Sequence, residues 1–286
     1  MAVEPPGDLL LATVATGERP CAIAADDERA WVTNFGAAEL VAIDGTTNEV
    51  SEPFETRVNP CAIVYVDGAL WIAQLGARNV AKIDLESGEA LVRIPVGGQV
   101  WDMQVGDGDV WVGVRGTRKV LRIDTATNVV VAEIQLNGIL SGLAITSGSV
   151  WVAVEGARQA ARIDMATNEV VATIRLDAKP SWWGTDGERL WLSFTESGSV
   201  ARVDLETNTV GQRVFVGGNP MDLAVAGGHV WVPEILDGTL WQLDAETGEI
   251  QAAYELAPGI YVAEERLGDL WVLNFNGEEV YRLSLD

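Results

Sequence analysis

Histidine, lysine and cysteine are scarce in this chain of 286 residues, and each shortage excludes a class of site. His229 is the only histidine, so a histidine-rich zinc set is excluded. The two cysteines cannot form the disulfide framework of a small secreted domain. Lysine occurs at three positions only, and the formal net charge is −23. Nucleic acid is therefore not expected as a partner, because phosphate binding requires a basic surface.

Long apolar runs are also missing. No stretch approaches the ~18 apolar residues that a membrane span needs, and the initial Met-Ala-Val-Glu-Pro-Pro does not read as a signal peptide. The chain is nevertheless 48% hydrophobic, which is enough for a large core. We therefore expect a soluble, acidic, globular protein without a membrane span. Its compartment stays open, because an export leader could have been removed ahead of this sequence.

Tryptophan, in contrast, recurs every forty residues without an insertion, at Trp31, Trp71, Trp111, Trp151, Trp191, Trp231 and Trp271. An apolar residue followed by aspartate keeps the same period, at Asp44, Asp84, Asp124, Asp164, Asp204 and Asp244. A turn pair such as Thr47-Asn48 or Ser87-Gly88 begins three residues after each of these aspartates. Seven units of forty residues thus account for almost the whole chain, which is the signature of a repeat architecture.

Each unit predicts four short strands separated by turn residues. In the unit around Trp151 these are residues 142–146, 150–154, 160–164 and 169–176. The second strand is apolar on both faces, so both faces should be covered. Small sheets buried between two neighbours are typical of a β-propeller. The sequence therefore predicts an all-β, seven-bladed β-propeller of four-stranded antiparallel blades, as a single domain over residues 1–286.

The two ends of the chain predict how the ring closes. The last unit stops at Asp286, after its third strand. Residues 9–16, Leu-Leu-Leu-Ala-Thr-Val-Ala-Thr, occupy the position of the missing fourth strand in the forty-residue register. We expect this N-terminal strand to join the C-terminal blade and to fasten the ring with main-chain hydrogen bonds.

Three stretches resemble a known repeat: Thr33-Asn34-Phe-Gly, Trp151-Val-Ala-Val, and Ile163-Asp-Met-Ala-Thr-Asn-Glu-Val-Val-Ala-Thr-Ile174. They are similar to the bacterial YVTN-type propeller repeat, and the whole chain resembles the virginiamycin B lyase-like superfamily. The resemblance implies the seven-bladed fold. It says little about function, because such repeats serve enzymes, binding proteins and surface-layer proteins alike.

The lyase resemblance also implies a catalytic set, which this chain does not match. Virginiamycin B lyases use two histidines and a glutamate near the starts of first strands, with a magnesium ion. The corresponding positions here are Met221, Gly259 and Tyr261, which cannot act as that base and ligand set. His229 lies in the hairpin between first and second strands, which faces the opposite end of the ring. We therefore do not expect the antibiotic-lyase reaction.

Features that recur in every blade are best interpreted as architecture. The seven periodic tryptophans should pack between blades, and the aspartates should organise turns. Arginine at one third-strand position, with Lys82 there too, predicts a solvated or inter-blade ion-pair stripe. In Trp182-Trp183, two tryptophans depart from the period: Trp183 replaces an apolar core residue, whereas Trp182 is a candidate for the site.

Departures from the repeat concentrate at one end of the predicted channel, where first strands begin and second strands end. The candidate ligand-binding residues there are Trp101, Asp102, Trp182, Asp222, Tyr261, Arg115, Glu155, Glu234, Phe194 and Lys179. Aromatic walls with a few convergent polar groups are what a small-molecule pocket needs. The alternative is that these large side chains plug the channel without a ligand.

Two further features at this end leave chemical alternatives open. Asp222 and Glu264 are candidate ligands for Mg²⁺ or Ca²⁺, although no cofactor is identified by a specific motif. A carboxylate such as Glu264 on a first strand needs a partner, a water, a metal ion or a raised pKa. Cys21 and Cys61 occupy the same position in adjacent blades. Duplication of a small core residue explains them, and the alternatives are a reactive thiol pair or a disulfide, which needs Cα atoms within about 7 Å.

The sequence thus favours a non-catalytic, monomeric propeller that binds a small molecule, a peptide or a partner protein over the channel mouth. One alternative is a lyase- or hydrolase-type enzyme that uses rim carboxylates with a divalent cation. Another is a purely structural or engineered repeat scaffold, since seven repeats without an insertion or deletion are unusual.

Overall fold

Seven β-sheets arranged in a ring form the fold in the computed structural model, which describes residues 2–56 and 58–285. Numbered along the chain, the strands are β1 Leu10–Ala15, β2 Pro20–Ala25, β3 Arg29–Asn34, β4 Glu39–Asp44, β5 Phe54–Glu55, β6 Pro60–Val66, β7 Ala69–Gln74, β8 Asn79–Ile83, β9 Ala90–Pro95, β10 Val100–Gly106, β11 Asp109–Val114, β12 Lys119–Asp124, β13 Val129–Gln135, β14 Leu143–Thr146, β15 Ser149–Val154, β16 Gln159–Asp164, β17 Glu169–Arg175, β18 Trp183–Thr185, β19 Leu190–Phe194, β20 Ser199–Asp204, β21 Thr209–Val210, β22 Val214–Phe215, β23 Ala224–Ala226, β24 His229–Pro233, β25 Thr239–Asp244, β26 Ile250–Glu255, β27 Ile260–Arg266, β28 Asp269–Asn274 and β29 Glu279–Leu283. Short 3₁₀ turns lie at Gly7–Leu9, Leu75–Ala77, Glu155–Ala157 and Thr195–Ser197.

The strands form blades in the order that the repeat predicts. Blade 1 is β2–β5, blade 2 is β6–β9, blade 3 is β10–β13, blade 4 is β14–β17, blade 5 is β18–β22, blade 6 is β23–β26, and blade 7 is β27–β29 with β1. Within each blade the paired strands are antiparallel, and in blade 5 the outer strand is split into β21 and β22. The predicted all-β, seven-bladed propeller is confirmed.

The chain ends meet in blade 7. Strand β1 pairs antiparallel with β29, with Val14 opposite Val280 and Thr13 opposite Tyr281. This is the place to which the forty-residue register assigned the missing fourth strand, although β1 is slightly shorter than residues 9–16. The inner strand β27 also contacts β2 of blade 1, so the inner strands follow one another around the channel.

The seven periodic tryptophans form the buried junctions between blades. Each is at most 2% exposed, and all lie on second strands. Trp151, for example, packs with Leu190, Leu192 and Ala201 of the next blade. Each buried indole removes a large apolar area from water, so the ring as a whole stabilises every blade in it.

The third-strand arginines connect neighbouring blades. The Arg162 guanidinium lies 5.3 Å from the ring centroid of Trp151 in its own blade. It donates to the backbone oxygen of Leu205 and to Asn208 Oδ1 of the next blade, each at 3.1 Å. The predicted stripe is therefore an inter-blade contact, in which one cation joins an aromatic face to a neighbouring turn.

The same contact repeats around the ring. Arg122 donates to Asn168 Oδ1 at 3.2 Å, and Arg282 donates to Asn48 Oδ1 at 2.8 Å. The second pair joins blade 7 to blade 1. The junction that contains both chain ends thus follows the same geometry as an internal junction.

The periodic aspartates organise the turns between third and fourth strands. Asp164 Oδ1 accepts from the Thr167 backbone N–H at 2.8 Å and from its hydroxyl at 2.9 Å. Asn168 follows with a φ of 59°, the left-handed conformation that favours asparagine and glycine. These hydrogen bonds lower the pKa of Asp164 and stabilise its ionised form, as expected for a carboxylate that organises a turn.

Candidate functional site

β-Bulges aim side chains into the channel mouth. The inner strands β2, β6, β10 and β27 each shift register at the position of Cys21, Cys61, Trp101 and Tyr261, respectively. A bulge bends the strand locally and redirects the side chain at that point. The residues that vary at the starts of the first strands therefore place chemically different side chains around one common space.

These groups surround a small space at the mouth, which we call the mouth cavity. Its volume is about 50 Å³, and its walls include Trp101, Asp102, Trp182, Asp222, Tyr261 and Glu264, together with Cys21 and Cys61. Five of the ten predicted ligand-binding residues thus meet in one place, with the candidate metal ligand Glu264 beside them. A space of this size accommodates water or one small chemical group, so most of any larger ligand would lie above it.

An aromatic column stands at one side of the mouth cavity. The rings of Trp101 and Trp182 stack with centroids 6.4 Å apart and planes 18° apart. The Arg115 guanidinium lies 4.4 Å from the Trp101 ring centroid and forms an ion pair with Glu155 at 2.8 Å. Arg115 and Glu155 therefore contribute to the site by holding Trp101, and the column is a cation–aromatic–aromatic stack.

Three carboxyl groups form the polar wall. Asp102 Oδ2 accepts from the Leu143 backbone N–H at 2.6 Å and so connects blade 3 with blade 4. The Asp222 backbone forms a parallel bridge with Val262, which connects blade 6 with blade 7. Glu264 forms an ion pair with Arg266. One guanidinium thus stands against three carboxyl groups.

Enclosure by the channel raises the pKa of all three carboxyl groups. Loss of hydration raises the pKa of Asp102 to about 7, and the nearby Glu264 charge adds to this effect. Burial and then repulsion by Asp102 raise the pKa of Asp222 well above its usual value. The pKa of Glu264 is also raised by burial, although Arg266 opposes the change. All three residues are half-buried in the wall of the mouth cavity.

A hydrogen bond and a disulfide connect the inner strands of blades 7, 1 and 2 at the mouth cavity. The Tyr261 hydroxyl donates a hydrogen bond to the Cys21 backbone oxygen, and burial raises the Tyr261 pKa well above its usual value. Cys21 and Cys61 form a disulfide with Cα atoms 5.1 Å apart. Duplication of a core residue is therefore an incomplete explanation for the two cysteines. The bulges bring adjacent inner strands within disulfide distance, which sequence spacing alone did not reveal.

Glu234, a predicted ligand-binding residue, is turned into its own loop. It is 2% exposed and accepts hydrogen bonds from the backbone N–H groups of Asn219, Leu236 and Asp237, at 2.7 to 2.9 Å. Its carboxylate therefore closes the loop after β24 and does not line the mouth cavity.

Phe194 and Lys179 lie away from the mouth cavity as well. Phe194 is 1% exposed and packs in the core between blades 4 and 5. The Lys179 ammonium forms an exposed ion pair with Glu196 at 2.6 Å. Both residues depart from the repeat, but neither lines the mouth cavity.

Trp183 packs in the core, in line with the sequence interpretation that it replaces an apolar core residue. It is 4% exposed, its ring lies 6.2 Å from that of Trp151, and its indole N–H donates to Gly142 O. His229 packs on Trp231 at the start of β24 and does not line the mouth cavity.

Arg266 lines the mouth cavity and was missed by the sequence analysis. The equivalent positions in the other blades hold Asp26, Val66, Gly106, Thr146, Asp186 and Ala226. Arg266 is the single cation in this series, so the search for departures from the repeat would have found it one step further along the first strand.

The mouth carboxyl groups are not arranged as a preformed metal site. Among residues 2–56 and 58–285, no group of three or more His, Cys, Asp or Glu side chains is placed to hold a metal ion. Asp222 and Glu264 line the same cavity, but the carboxylate of Glu264 faces Arg266. Mg²⁺ or Ca²⁺ binding remains a hypothesis for experiment.

Comparisons with known proteins support the fold. No family model matches the sequence, and no curated protein matches it. Among solved structures, a streptogramin B lyase is 17% identical with a TM-score of 0.80, covering 97% of this chain and 96% of its own. Virginiamycin B lyase from Staphylococcus aureus is 14% identical with a TM-score of 0.83, at 96% and 99% coverage. Hydrazine synthase from Kuenenia stuttgartiensis is 16% identical with a TM-score of 0.82, at 96% and 98% coverage. The chain therefore has a virginiamycin B lyase-like, seven-bladed propeller fold, one that proteins of different activity share.

Proposed function

We propose that this protein is a non-catalytic binding module that takes a small molecule, a peptide or a segment of a partner protein over its channel mouth. The observation that carries the proposal is the convergence of the Trp101–Trp182 stack with three carboxyl groups around one small cavity. Apolar surface with a few fixed polar groups is the usual composition of a ligand site.

The geometry supports a division of labour within the ligand. Trp101 is contacted by the Arg115 guanidinium and by the Trp182 ring, and both tryptophans line the mouth cavity, so they offer aromatic surface to the apolar part of a ligand. A small group of the ligand would enter the cavity and exchange hydrogen bonds with Asp102 and Asp222. With a pKa of about 7, Asp102 carries a proton over part of the neutral range and can then both donate and accept.

Fluorescence quenching tests the proposal directly. We expect a ligand from a library of small molecules and peptides to quench tryptophan emission saturably. Trp182→Ala should weaken this binding by at least about tenfold, since stacking on an aromatic ring contributes roughly 1–3 kcal/mol. Trp183→Phe is the matched control, because Trp183 is buried in the blade. Quenching that is unchanged in Trp182→Ala would contradict a site at the mouth.

An enzyme that uses the carboxyls with a divalent cation is the second candidate. The raised pKa of Asp102, about 7, favours it, because a general acid works best when its pKa is near the working pH. This candidate predicts a large thermal shift with Mg²⁺ or Ca²⁺ that is lost in Asp222→Ala and in Glu264→Ala. No response to either ion, with intact quenching by a ligand, would support the binding module instead.

The disulfide supports a working environment outside the reducing cytoplasm. A bond between Cys21 and Cys61 persists in oxidising compartments and is rare in the cytosol. Thiol titration of protein purified without reductant tests this: we expect no free thiol under denaturing conditions. Size-exclusion chromatography would test the expected monomer. No helix within the described residues has the length and apolarity to cross a bilayer.

A further inference from the structure

A second cleft lies on the outer side of the ring, far along the blades from the mouth cavity. It separates the outer strands of blades 4 and 5 and has a volume of about 510 Å³. We call it the blade 4–5 cleft. Volumes of this order are typical of sites for small organic molecules.

The cleft exists because blade 5 departs from the repeat. Its outer strand stops at Val210 and resumes at Val214 as β22, while blade 4 has the continuous outer strand β17. Gly211 still donates its N–H to Arg202 O at 2.9 Å, whereas Gln212 and Arg213 lie outside the strands and line the cleft. Ile174, Leu176 and Val210 provide partly buried apolar walls, and Phe194 lies in the core behind them.

The charge of the cleft is opposite to that of the protein. Arg175 and Arg213 both line it, and the only acid among its lining residues is Asp177. Asp177, which is 74% exposed, forms an ion pair with Arg213. The described part of the chain contains no ion-pair partner for Arg175, whose side chain is exposed. An arginine without an ion-pair partner therefore borders a cleft whose walls are partly apolar, in a chain of net charge −23.

We infer that the blade 4–5 cleft binds a small organic carboxylate, with its anionic group on Arg175 and Arg213 and its apolar body against Ile174, Leu176 and Val210. Guanidinium groups match carboxylates with paired hydrogen bonds. A ligand carboxylate would compete with Asp177 for Arg213, and this exchange is cheap because exposed ion pairs contribute little. The site is separate from the mouth cavity and does not depend on the function proposed for it.

NMR titration with hexanoate tests this inference. We expect saturable shifts of the backbone amides of Gly211, Gln212 and Leu176, with a Kd on the order of 1 mM for so small a ligand. Hexylammonium has the same apolar body with the opposite charge, so it should not produce these shifts. The indole signals of Trp101 and Trp182 report on the mouth cavity and should stay unchanged.

Substitutions separate the charge contribution from general surface binding. Arg175→Gln with Arg213→Gln should weaken hexanoate binding at least about tenfold, since the carboxylate loses both of its charged hydrogen-bond donors. Arg175→Gln alone removes a side chain without an ion-pair partner, so it should retain the fold and still weaken binding. Arg118→Gln removes another exposed arginine, on blade 3, and should leave binding unchanged.

Three results would overturn the inference. They are the absence of saturable shifts at these amides with hexanoate, equal shifts with hexylammonium, and unchanged binding in the double variant. A loss of hexanoate shifts in Trp182→Ala would place the carboxylate at the mouth instead and would also overturn it.

Discussion

The six turn aspartates and the three mouth carboxyls carry the same functional group under opposite conditions. Asp164 and its equivalents accept hydrogen bonds from their turns, which lowers their pKa and stabilises the anion. Asp102, Asp222 and Glu264 are enclosed by the channel, which raises their pKa and disfavours the anion. The repeated aspartates thus stabilise the turns of the blades. The ionised mouth carboxyls, in contrast, lower the stability of the fold.

The tryptophans divide in the same way. Trp151 and its six equivalents are buried between blades, and their neighbours recur around the ring. Trp101 and Trp182 remain partly exposed, and they contact each other although they lie in blades 3 and 5. Residues that recur in every blade stabilise the ring, whereas residues from different blades that meet at the channel mouth form the candidate site. Substitutions of the recurring residues should lower stability, and substitutions at the mouth should lower ligand binding, which tests this distinction.

Trp151→Ala should have the largest effect. It removes a fully buried ring and leaves a cavity at a blade junction, so we expect a loss of about 3–5 kcal/mol in the free energy of unfolding. Urea denaturation at neutral pH measures it. Trp182→Ala is the control and should lose far less, because its ring is partly exposed. Equal losses in the two variants would contradict the division between ring and mouth.

Asp102→Asn should change the pH dependence of stability. Between the unfolded pKa near 3.8 and the folded pKa of about 7, the folded state binds more protons than the unfolded state. Stability from Asp102 is therefore lost as pH rises from about 4 to 7. Asparagine keeps an oxygen for the Leu143 N–H but cannot ionise, so this variant should be more stable at pH 8 by up to about 4 kcal/mol, with no such gain at pH 4.

Glu264, Asp222 and Arg266 face the same space as Asp102, so the slope will not vanish in this variant. Urea denaturation at several pH values measures the change. If the unfolding free energies of the variant and the parent protein changed in parallel from pH 4 to 8, folding would not raise the pKa of Asp102. The contrast between the mouth carboxyls and the turn aspartates would then fail for this residue.

Glu234→Ala should cost about 1–3 kcal/mol, because three backbone N–H groups around a buried carboxylate lose their acceptor. Glu234→Gln keeps one acceptor oxygen and should recover part of the loss. Ligand quenching of the mouth tryptophans should change little in either variant. A loss of binding without a loss of stability would assign Glu234 to the mouth, as the sequence predicted.

Asp164→Ala should have a smaller effect of the opposite pH dependence. The lowered pKa means that the stability from this carboxylate is present at neutral pH and is lost as pH falls through the folded pKa. We therefore expect a deficit at pH 7 that shrinks in strong acid. Thermal unfolding at pH 7 and pH 2.5 checks it, and a deficit independent of pH would show that the turn needs the side chain's shape only.

Lys179→Ala should have the smallest effect. Its ion pair with Glu196 is exposed, and such pairs contribute about 0–1 kcal/mol. Neither the midpoint of unfolding nor the quenching of Trp182 should change measurably. A marked loss of binding would extend the mouth site to the rim.

The architecture could be predicted because it repeats. Seven tryptophans at one spacing predicted seven blades, and the end of the last unit predicted where β1 would pair. The pairing of Arg162 with Asn208 recurs forty residues earlier with Arg122 and Asn168, so one junction would have sufficed to predict the others.

The site was predictable only in outline. The channel mouth lies where departures from the repeat concentrate, and Trp101, Asp102, Trp182, Asp222 and Tyr261 meet there. Second-strand ends were a poorer guide, because a side chain such as Phe194 or Glu234 at that position can turn into the core or the loop. Sequence position does not determine that choice, since it depends on what the adjacent blade leaves unfilled.

By itself, the sequence determined the number of blades, the residues that pack between them and the end of the ring that varies. The tertiary structure decided which of the variable residues meet. Trp101 and Trp182 lie in blades 3 and 5, and Cys21 and Cys61 in blades 1 and 2, yet each pair is in contact. The physical reason is that a periodic pattern follows from burial, which acts within each repeat. Contact across the channel depends on bulges, ring closure and the angle of every blade, which are properties of the whole ring.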